Sequence, residues 1–135
     1  MTYVPESLRR LVSQRAEDRC EYCRLHRRHG LFAHEIDHIY AEKHGGKTVE
    51  VNLGLSCFDC NRHKGSDLAS LDPLNNEIVP LFHSRNDLWA AHFTLDGAVI
   101  QPLTPQGRVT VRLLQMNSLD QVDERAVLIA IGRFP

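Results

Sequence analysis

The sequence predicts an α+β fold, in which one helix precedes a small ββα unit and hairpins and two further helices follow it. Two Cys-x-x-Cys pairs enclose residues 24–56, a segment the size of a small subdomain. Turn-forming dipeptides separate short strand-like runs after residue 68. Helix-start patterns occur at Thr104 and Ser118. These three observations together predict the fold class.

The first half of the chain is predicted to form two helices and two strands. Pro5 stands at a favourable early helical position, and apolar residues at helical spacing follow it. Glu35 and Asp37 alternate with Ile36 and His38, so the two carboxylates lie on one side of a strand and the imidazole on the other. The helix, the two strands and the second helix are expected over residues 5–18, 31–39, 49–55 and 57–68.

Two hairpins are predicted next, over residues 74–82 and 92–101. Asn75-Asn76 lies in the first of these segments and Asp96-Gly97 in the second, and both dipeptides favour tight turns. The Asp-Gly hairpin is the clearer of the two, because Asp-Gly between alternating apolar residues is a strong hairpin signal.

Two late helices and a division of the chain complete the prediction. Thr104-Pro105 begins one helix, and the capping box Ser118-x-x-Gln121 begins another that runs to about residue 131. Asp72-Pro73 is expected to end the first unit. We therefore divide the chain into a core with its N-terminal helix, residues 1–71, and an extension packed on it within one compact domain, residues 72–135.

Composition and charge exclude a membrane protein and leave nucleic acid open as a partner. The chain is 42% hydrophobic and 24% charged, which is usual for a globular protein, and it has no run of about 18 apolar residues. No secretion signal is recognisable, so a reducing cytoplasm is the expected location. Net charge is −1, but residues 1–64 carry eleven Lys and Arg against nine Asp and Glu, whereas the remainder carries five against eight. Positive charge is thus concentrated in the first half.

The two cysteine pairs predict a structural zinc site. Cys20 and Cys23 form the first pair, and Cys57 and Cys60 form the second. Each pair can form a turn that directs two thiolates at one ion, and four thiolates make a closed site that stabilises the fold. The 33 residues between the pairs exceed the roughly 15 to 20 of a zinc ribbon. The alternative is two disulfides or free buried thiols, which a reducing compartment disfavours.

Three residues around the second pair have the chemistry of a separate, catalytic metal site. The carboxylate of Asp37 is a hard oxygen ligand suited to a divalent cation such as magnesium. The amide carbonyl of Asn61 offers a second oxygen, and Cys60 beside it would hold it in place. His38 points elsewhere along the strand, and its neutral imidazole can take a proton from water near neutral pH.

Residues 20–65 resemble the HNH endonuclease family, whose core is the ββα-metal, or His-Me, finger. The motifs occur in the family's order: Cys-x-x-Cys, Ile-Asp-His-Ile, Gly-Gly, Asn-Leu and Cys-x-x-Cys-Asn-x-x-Lys-Gly. The segments 81–85 and 89–93 also resemble those of short bacterial HNH proteins. The resemblance implies a ββα-metal finger with a structural zinc knuckle, and the residue patterns above add an N-terminal helix and a C-terminal extension of hairpins and two helices.

The resemblance also implies roles for individual residues. Asp37 matches a metal ligand, and His38 matches the histidine that serves as general base. Asn52 matches the residue that braces the loop aiming that base, and Asn61 matches the second metal ligand. Gly65 stands where certain members carry a further histidine ligand, so a water or phosphate oxygen would complete the coordination here.

Three residues of the second helix are candidates for contact with nucleic acid. Lys64 resembles the family lysine and is expected either to meet a phosphate or to lie in solvent. Arg62 flanks the site and is a candidate for a backbone contact. His63 is rotated by about 200° from Asn61 on a helix, which argues against a role as metal ligand and favours nucleic-acid contact or exposure.

The predicted function is hydrolysis of phosphodiester bonds in nucleic acid, with DNA as the expected substrate. Magnesium, manganese or another divalent cation would assist, and the family's chemistry implies 5′-phosphate and 3′-hydroxyl ends. The alternative is a zinc-stabilised module that binds nucleic acid without cutting it. A pure binding module needs only the cysteines, so the additional presence of Asp37, His38, Asn52 and Asn61 favours the enzyme. No motif indicates a membrane contact or a particular protein partner.

Overall fold

The computed structural model describes residues 3–135, which form five α-helices and six β-strands in three separate two-stranded sheets. The helices are α1 (Glu6–Arg15), α2 (Phe58–Lys64), α3 (Trp89–His92), α4 (Pro105–Leu113) and α5 (Leu119–Ala130). The strands are β1 (Glu35–His38), β2 (Leu53–Ser56), β3 (Ala69–Leu71), β4 (Ile78–Pro80), β5 (Phe93–Asp96) and β6 (Val99–Pro102). These elements confirm the predicted α+β class.

Strands β1 and β2 and helix α2 form the predicted ββα finger. The strands pair antiparallel, with Glu35 opposite Ser56 and His38 opposite Leu53. Both are shorter than predicted, and β2 begins only at Leu53 because a 3-10 turn at Glu50–Asn52 occupies the start of its segment. The predicted alternation is confirmed, since Glu35 and Asp37 of β1 both contact α2 while Ile36 packs against α1 and β2.

Helix α2 begins directly after β2 and ends earlier than predicted. Cys57 is its N-cap, and the Cys57 sulfur accepts a hydrogen bond from the backbone N–H of Cys60. The helix ends at Lys64, because Gly65 adopts a φ of 53°, which interrupts the helical geometry. The end therefore lies four residues before the predicted residue 68.

The C-terminal half covers the cysteines of the finger with an apolar layer. Phe82, Phe93, Ile100, Leu114 and Met116 pack in one buried cluster with Tyr22 and the four cysteines. A fully buried side chain of this size contributes about 1.5–3 kcal/mol. This cluster joins the two halves of the chain, and a smaller one of Val4, Val12, Leu53 and Leu55 fixes α1 on β2.

The first hairpin of the C-terminal half begins earlier than predicted. Its first strand, β3, lies before Asp72 and pairs with β4. Asp72 is buried in the loop, where it accepts two hydrogen bonds from Arg108 of α4 (2.9 and 2.8 Å) and one from the N–H of Leu74 (3.0 Å). The bonds from Arg108 hold the pKa of Asp72 below its usual range. Asp72-Pro73 therefore belongs to the loop. The division after residue 71 stays a prediction and falls at the end of β3.

The second hairpin and the last two helices agree with the sequence predictions. Strands β5 and β6 pair antiparallel around a turn in which Gly97 has a φ of 60°. The side chains of Thr104 and Ser118 accept hydrogen bonds from the backbone N–H groups of Gly107 and Gln121, which caps α4 and α5. Among the described residues, no helix has the length and apolarity needed to cross a membrane.

Candidate metal centre and catalytic cleft

The four cysteines meet in one buried site. The sulfur atoms of Cys20, Cys23, Cys57 and Cys60 all lie within 4.8 Å of one another, and no residue of the four is more than 3% exposed. The sulfurs of Cys23 and Cys57 are 3.7 Å apart, far beyond the roughly 2.05 Å of a disulfide. The N–H groups of Cys23 and Cys60 each donate to the first sulfur of their own pair at 3.4 Å. The arrangement suits a tetrahedral zinc ion.

The charge balance of the site also favours a bound cation. Burial acts to raise the pKa of Cys20, but hydrogen bonds from the thiols of Cys23, Cys57 and Cys60 outweigh it and hold this pKa well below its usual range. Contacts with Cys20 and Cys23 raise the pKa values of Cys57 and Cys60. Protein groups alone thus favour the thiolate at Cys20 and disfavour it at Cys57 and Cys60, whereas a divalent ion would stabilise all four cysteines as thiolates.

Tyr22 and Lys64 hold the carboxylate of Asp37 from two sides. The Tyr22 hydroxyl donates to Asp37 Oδ2 at 2.8 Å, and Lys64 Nζ donates to Asp37 Oδ1 and to the carbonyl of His38, both at 3.2 Å. Burial raises the pKa of Asp37, and the Lys64 charge with the Tyr22 hydrogen bond opposes that rise. Burial and the neighbouring Asp37 raise the pKa of Tyr22, so its hydroxyl stays a donor.

The placement of Lys64 differs from the prediction. Its side chain is 2% exposed and points into the finger, because Lys64 follows the buried Cys60 by four residues and shares its helix face. The ammonium group is paired with Asp37 rather than presented to solvent. The ammonium group thus lies against the carboxylate of Asp37, and contact between Lys64 and a nucleic-acid phosphate stays a prediction.

Asp37, His38 and Asn61 line one cavity of about 490 Å³. Glu35 lines the same cavity, and the Asn61 amide donates a hydrogen bond to its carboxylate. Glu35, Asp37 and Asn61 are thus three of the oxygen-bearing side chains around one opening, and oxygen ligands of this kind suit magnesium or manganese. The alternation of the strand predicts Glu35 beside Asp37, but no motif assigns Glu35 a role. Its position two residues before Asp37 on the same strand face is the signal that could have identified it.

His38 is oriented by a residue that sequence reasoning missed. Its Nε2 lies 2.9 Å from Thr48 Oγ1. When the hydroxyl accepts the Nε2 proton, Nδ1 carries the lone pair that can accept a second proton. Thr48 lies in the loop between β1 and β2, where no local pattern indicates such a contact.

Asn52 closes the loop that follows His38. Its side chain is 6% exposed: Oδ1 accepts from the N–H of Tyr40, and Nδ2 donates to the carbonyls of Tyr40 and Lys47, at 2.8 to 2.9 Å. Gly46 lies directly against the Tyr40 carbonyl and the Asn52 amide. A Cβ at Gly46 would lie 1.6 Å from the Tyr40 oxygen, so only glycine fits there. These contacts fix the backbone on both sides of the loop that carries Thr48.

His63 and Arg62 lie outside the cavity. His63 Nδ1 donates to the Leu114 carbonyl at 3.1 Å, so the ring is directed toward the C-terminal half, on a different side of α2 from Asn61. This bond engages Nδ1 and not Nε2, so the contact of His63 with nucleic acid stays a prediction. Arg62 is exposed above the Phe58 ring, and its contact with nucleic acid stays a prediction.

Comparison with known proteins gives one match. Residues 20–67 match the family model of the HNH endonucleases. The matched segment contains both cysteine pairs, β1, β2 and α2, and it amounts to about a third of the chain. Comparisons with curated proteins and with solved structures give no match.

Proposed function

We propose that this protein, in which residues 20–67 match the family model of the HNH endonucleases, hydrolyses phosphodiester bonds in nucleic acid with one divalent cation. The observation that carries the proposal is that Asp37, His38 and Asn61 line one cavity beside a buried four-cysteine site. A base and hard oxygen ligands are the groups that metal-assisted hydrolysis needs. The non-catalytic binding module explains the cysteines but not this convergence.

His38 is the proposed general base. In this mechanism Nε2 carries the proton and donates a hydrogen bond to the Thr48 hydroxyl, 2.9 Å away, and this contact orients the ring. Nδ1 is then free to take a proton from a water molecule aligned with the phosphorus. Asn52 supports this arrangement because it holds the loop that carries Thr48.

Asp37 and Asn61 are the proposed ligands of the catalytic cation, with Glu35 as a further oxygen donor. Each Asp37 oxygen accepts one hydrogen bond from the protein and keeps a second lone pair for a metal. When bound, magnesium or manganese would polarise the phosphate and stabilise the charge that develops on the leaving oxygen. Lys64 and Tyr22 keep the carboxylate oriented. The four cysteines would hold zinc as a structural ion outside the reaction.

The proposal is tested by offering the protein different nucleic acids with and without a divalent ion. Supercoiled plasmid DNA, single-stranded DNA and RNA are incubated with magnesium or manganese, and parallel samples contain a chelator too weak to remove zinc. We expect cleavage of at least one substrate, DNA first, only with the added ion, and 5′-phosphate ends on the products. Binding of these substrates without metal-dependent cleavage would favour the non-catalytic module.

Thr48 offers a test of how the base is oriented. Thr48→Val keeps the shape of the side chain but removes the acceptor for Nε2, so the cleavage rate is expected to fall about 10-fold or more because the wrong tautomer becomes populated. Thr48→Ser keeps the hydroxyl and should retain most of the rate. Equal rates in the valine and serine variants would show that Thr48 does not position His38. The measurement is kcat, with KM expected to change little.

A further inference from the structure

Two larger depressions lie beside the cavity lined by Asp37, His38 and Asn61, which we call the cleft. The first, of about 760 Å³, shares Arg9, His34 and Ile36 with the cleft and follows one face of α1. The second, of about 670 Å³, shares Arg28 with the first and reaches Arg133 near the C-terminal end of α5. The three depressions therefore lie next to one another in a row that starts at Asp37 and His38, and we call this row the path.

Arginine is the predominant charged residue along this path outside the cleft. Six arginines line the two outer depressions: Arg9, Arg10, Arg19, Arg27, Arg28 and Arg133. Glu6 pairs with Arg10 at 3.6 Å, and Asp18 pairs with Arg27 at 3.5 Å. Among residues 3–135, the other four arginines have no carboxylate within the 4 Å of an ion pair. We call Arg9, Arg19, Arg28 and Arg133 the basic track.

The cations near Arg28 are held close together by the backbone. Arg19 and His26 form an isolated β-bridge, and the N–H of Arg28 donates to His26 Nδ1 at 3.1 Å. Burial lowers the pKa of Arg19, and the charges of Arg24 and Arg28 lower it further, although Glu17 opposes them. Burial and then Arg28 and Arg19 likewise lower the pKa of His26. A bound polyanion would relieve this repulsion between neighbouring cations.

We propose that the basic track binds the phosphate backbone of the nucleic acid on one side of the bond that is cut. The inference rests on the proposed function, and it adds where the substrate runs after it leaves the cleft. The ten residues of α1 span about 15 Å, which matches roughly 4 base pairs at 3.4 Å per pair. We therefore expect that a substrate must extend several base pairs beyond the cut to reach Arg28 and Arg133.

The test compares single arginine variants in a protein that binds but does not cut. His38→Ala serves as the background, and Arg28→Gln and Arg133→Gln are each made in it. Arg112→Gln is the matched control, because Arg112 is an exposed arginine of α4 that lines none of the three depressions. The Kd is measured by fluorescence anisotropy over a series of salt concentrations, with a labelled duplex DNA and a labelled RNA hairpin as probes.

Each track variant is expected to weaken binding 3- to 10-fold and to lower the slope of log Kd against log salt by about 0.9, the value for one lost phosphate contact. Arg112→Gln should leave both quantities unchanged. If Arg112→Gln changes the Kd as much as the track variants do, or if no variant changes it, the proposed role of the basic track is wrong. This holds even if the wild type cuts nucleic acid. If only the track variants lose affinity and the wild type never cuts nucleic acid, the basic track is a binding surface, and the proposed endonuclease activity is contradicted.

Discussion

Removal of zinc from the four-cysteine site is expected to unfold the finger and the C-terminal half together. The cysteines are part of the buried cluster that contains Phe82 and Phe93, so loss of the ion leaves four thiols facing one another at the centre of that cluster. Binding of a structural zinc is worth about 10–16 kcal/mol at neutral pH, which equals or exceeds the roughly 5–15 kcal/mol stability of a whole domain. We expect thermal unfolding followed by circular dichroism to lose its cooperative transition after treatment with a strong zinc chelator.

Two controls separate zinc from other effects of the chelator. Added zinc should restore the transition and added magnesium should not. Cys60→Ser should abolish the cooperative transition without any chelator. Ser56→Ala is the matched control, because it removes a buried hydroxyl that donates to the Cys57 carbonyl at 3.2 Å and leaves the four cysteines in place. It should lower the free energy of unfolding by only about 1 kcal/mol. A chelated protein that still melts cooperatively at the same temperature would contradict a structural role for the ion.

His38→Ala is expected to lower the rate of metal-dependent cleavage by about 10²- to 10⁴-fold, the range that general bases contribute. His38 lines the cleft beside Asp37, and its ring bonds only to the side chain of Thr48 among the described contacts. The variant should therefore keep its zinc content and its melting temperature. Single-turnover cleavage under saturating protein measures the chemical step, and elemental analysis measures the zinc.

His63→Ala is the matched control for this variant. It removes the same type of side chain from the same finger, but His63 bonds to the Leu114 carbonyl on a side of α2 away from the cleft. Its cleavage rate should stay within a few-fold of the wild type. A His38→Ala protein that cuts as fast as His63→Ala would show that another group removes the proton.

The sequence was sufficient to predict the features that depend on short spacing. The cysteine pairs, the alternation of β1, the turn at Gly97 and the helix caps at Thr104 and Ser118 are each encoded within a few neighbouring residues. The order of motifs added the expected place of Asp37, His38 and Asn61, and these residues do line one cavity.

Features that depend on distant partners could not be predicted. Lys64 pairs with Asp37, 27 residues earlier, and the apolar stem of a lysine gives no local sign of burial. Asp72 accepts hydrogen bonds from Arg108, 36 residues later. The local pattern Asp72-Pro73 gives no sign of this contact and predicts only the end of a unit. Thr48 approaches His38 only because Asn52 holds the intervening loop. In each case a tertiary contact determines the position of a side chain.

We propose that one finger carries two metal sites with separate tasks, zinc for the fold and a second ion for cleavage. The cleavage rate of the zinc-loaded protein as a function of added magnesium tests this most directly. We expect no cleavage without magnesium although zinc is fully bound, followed by a rise that saturates as the site at Asp37 and Asn61 fills. A cleavage rate that is independent of added magnesium, or no cleavage at any magnesium concentration, would contradict it.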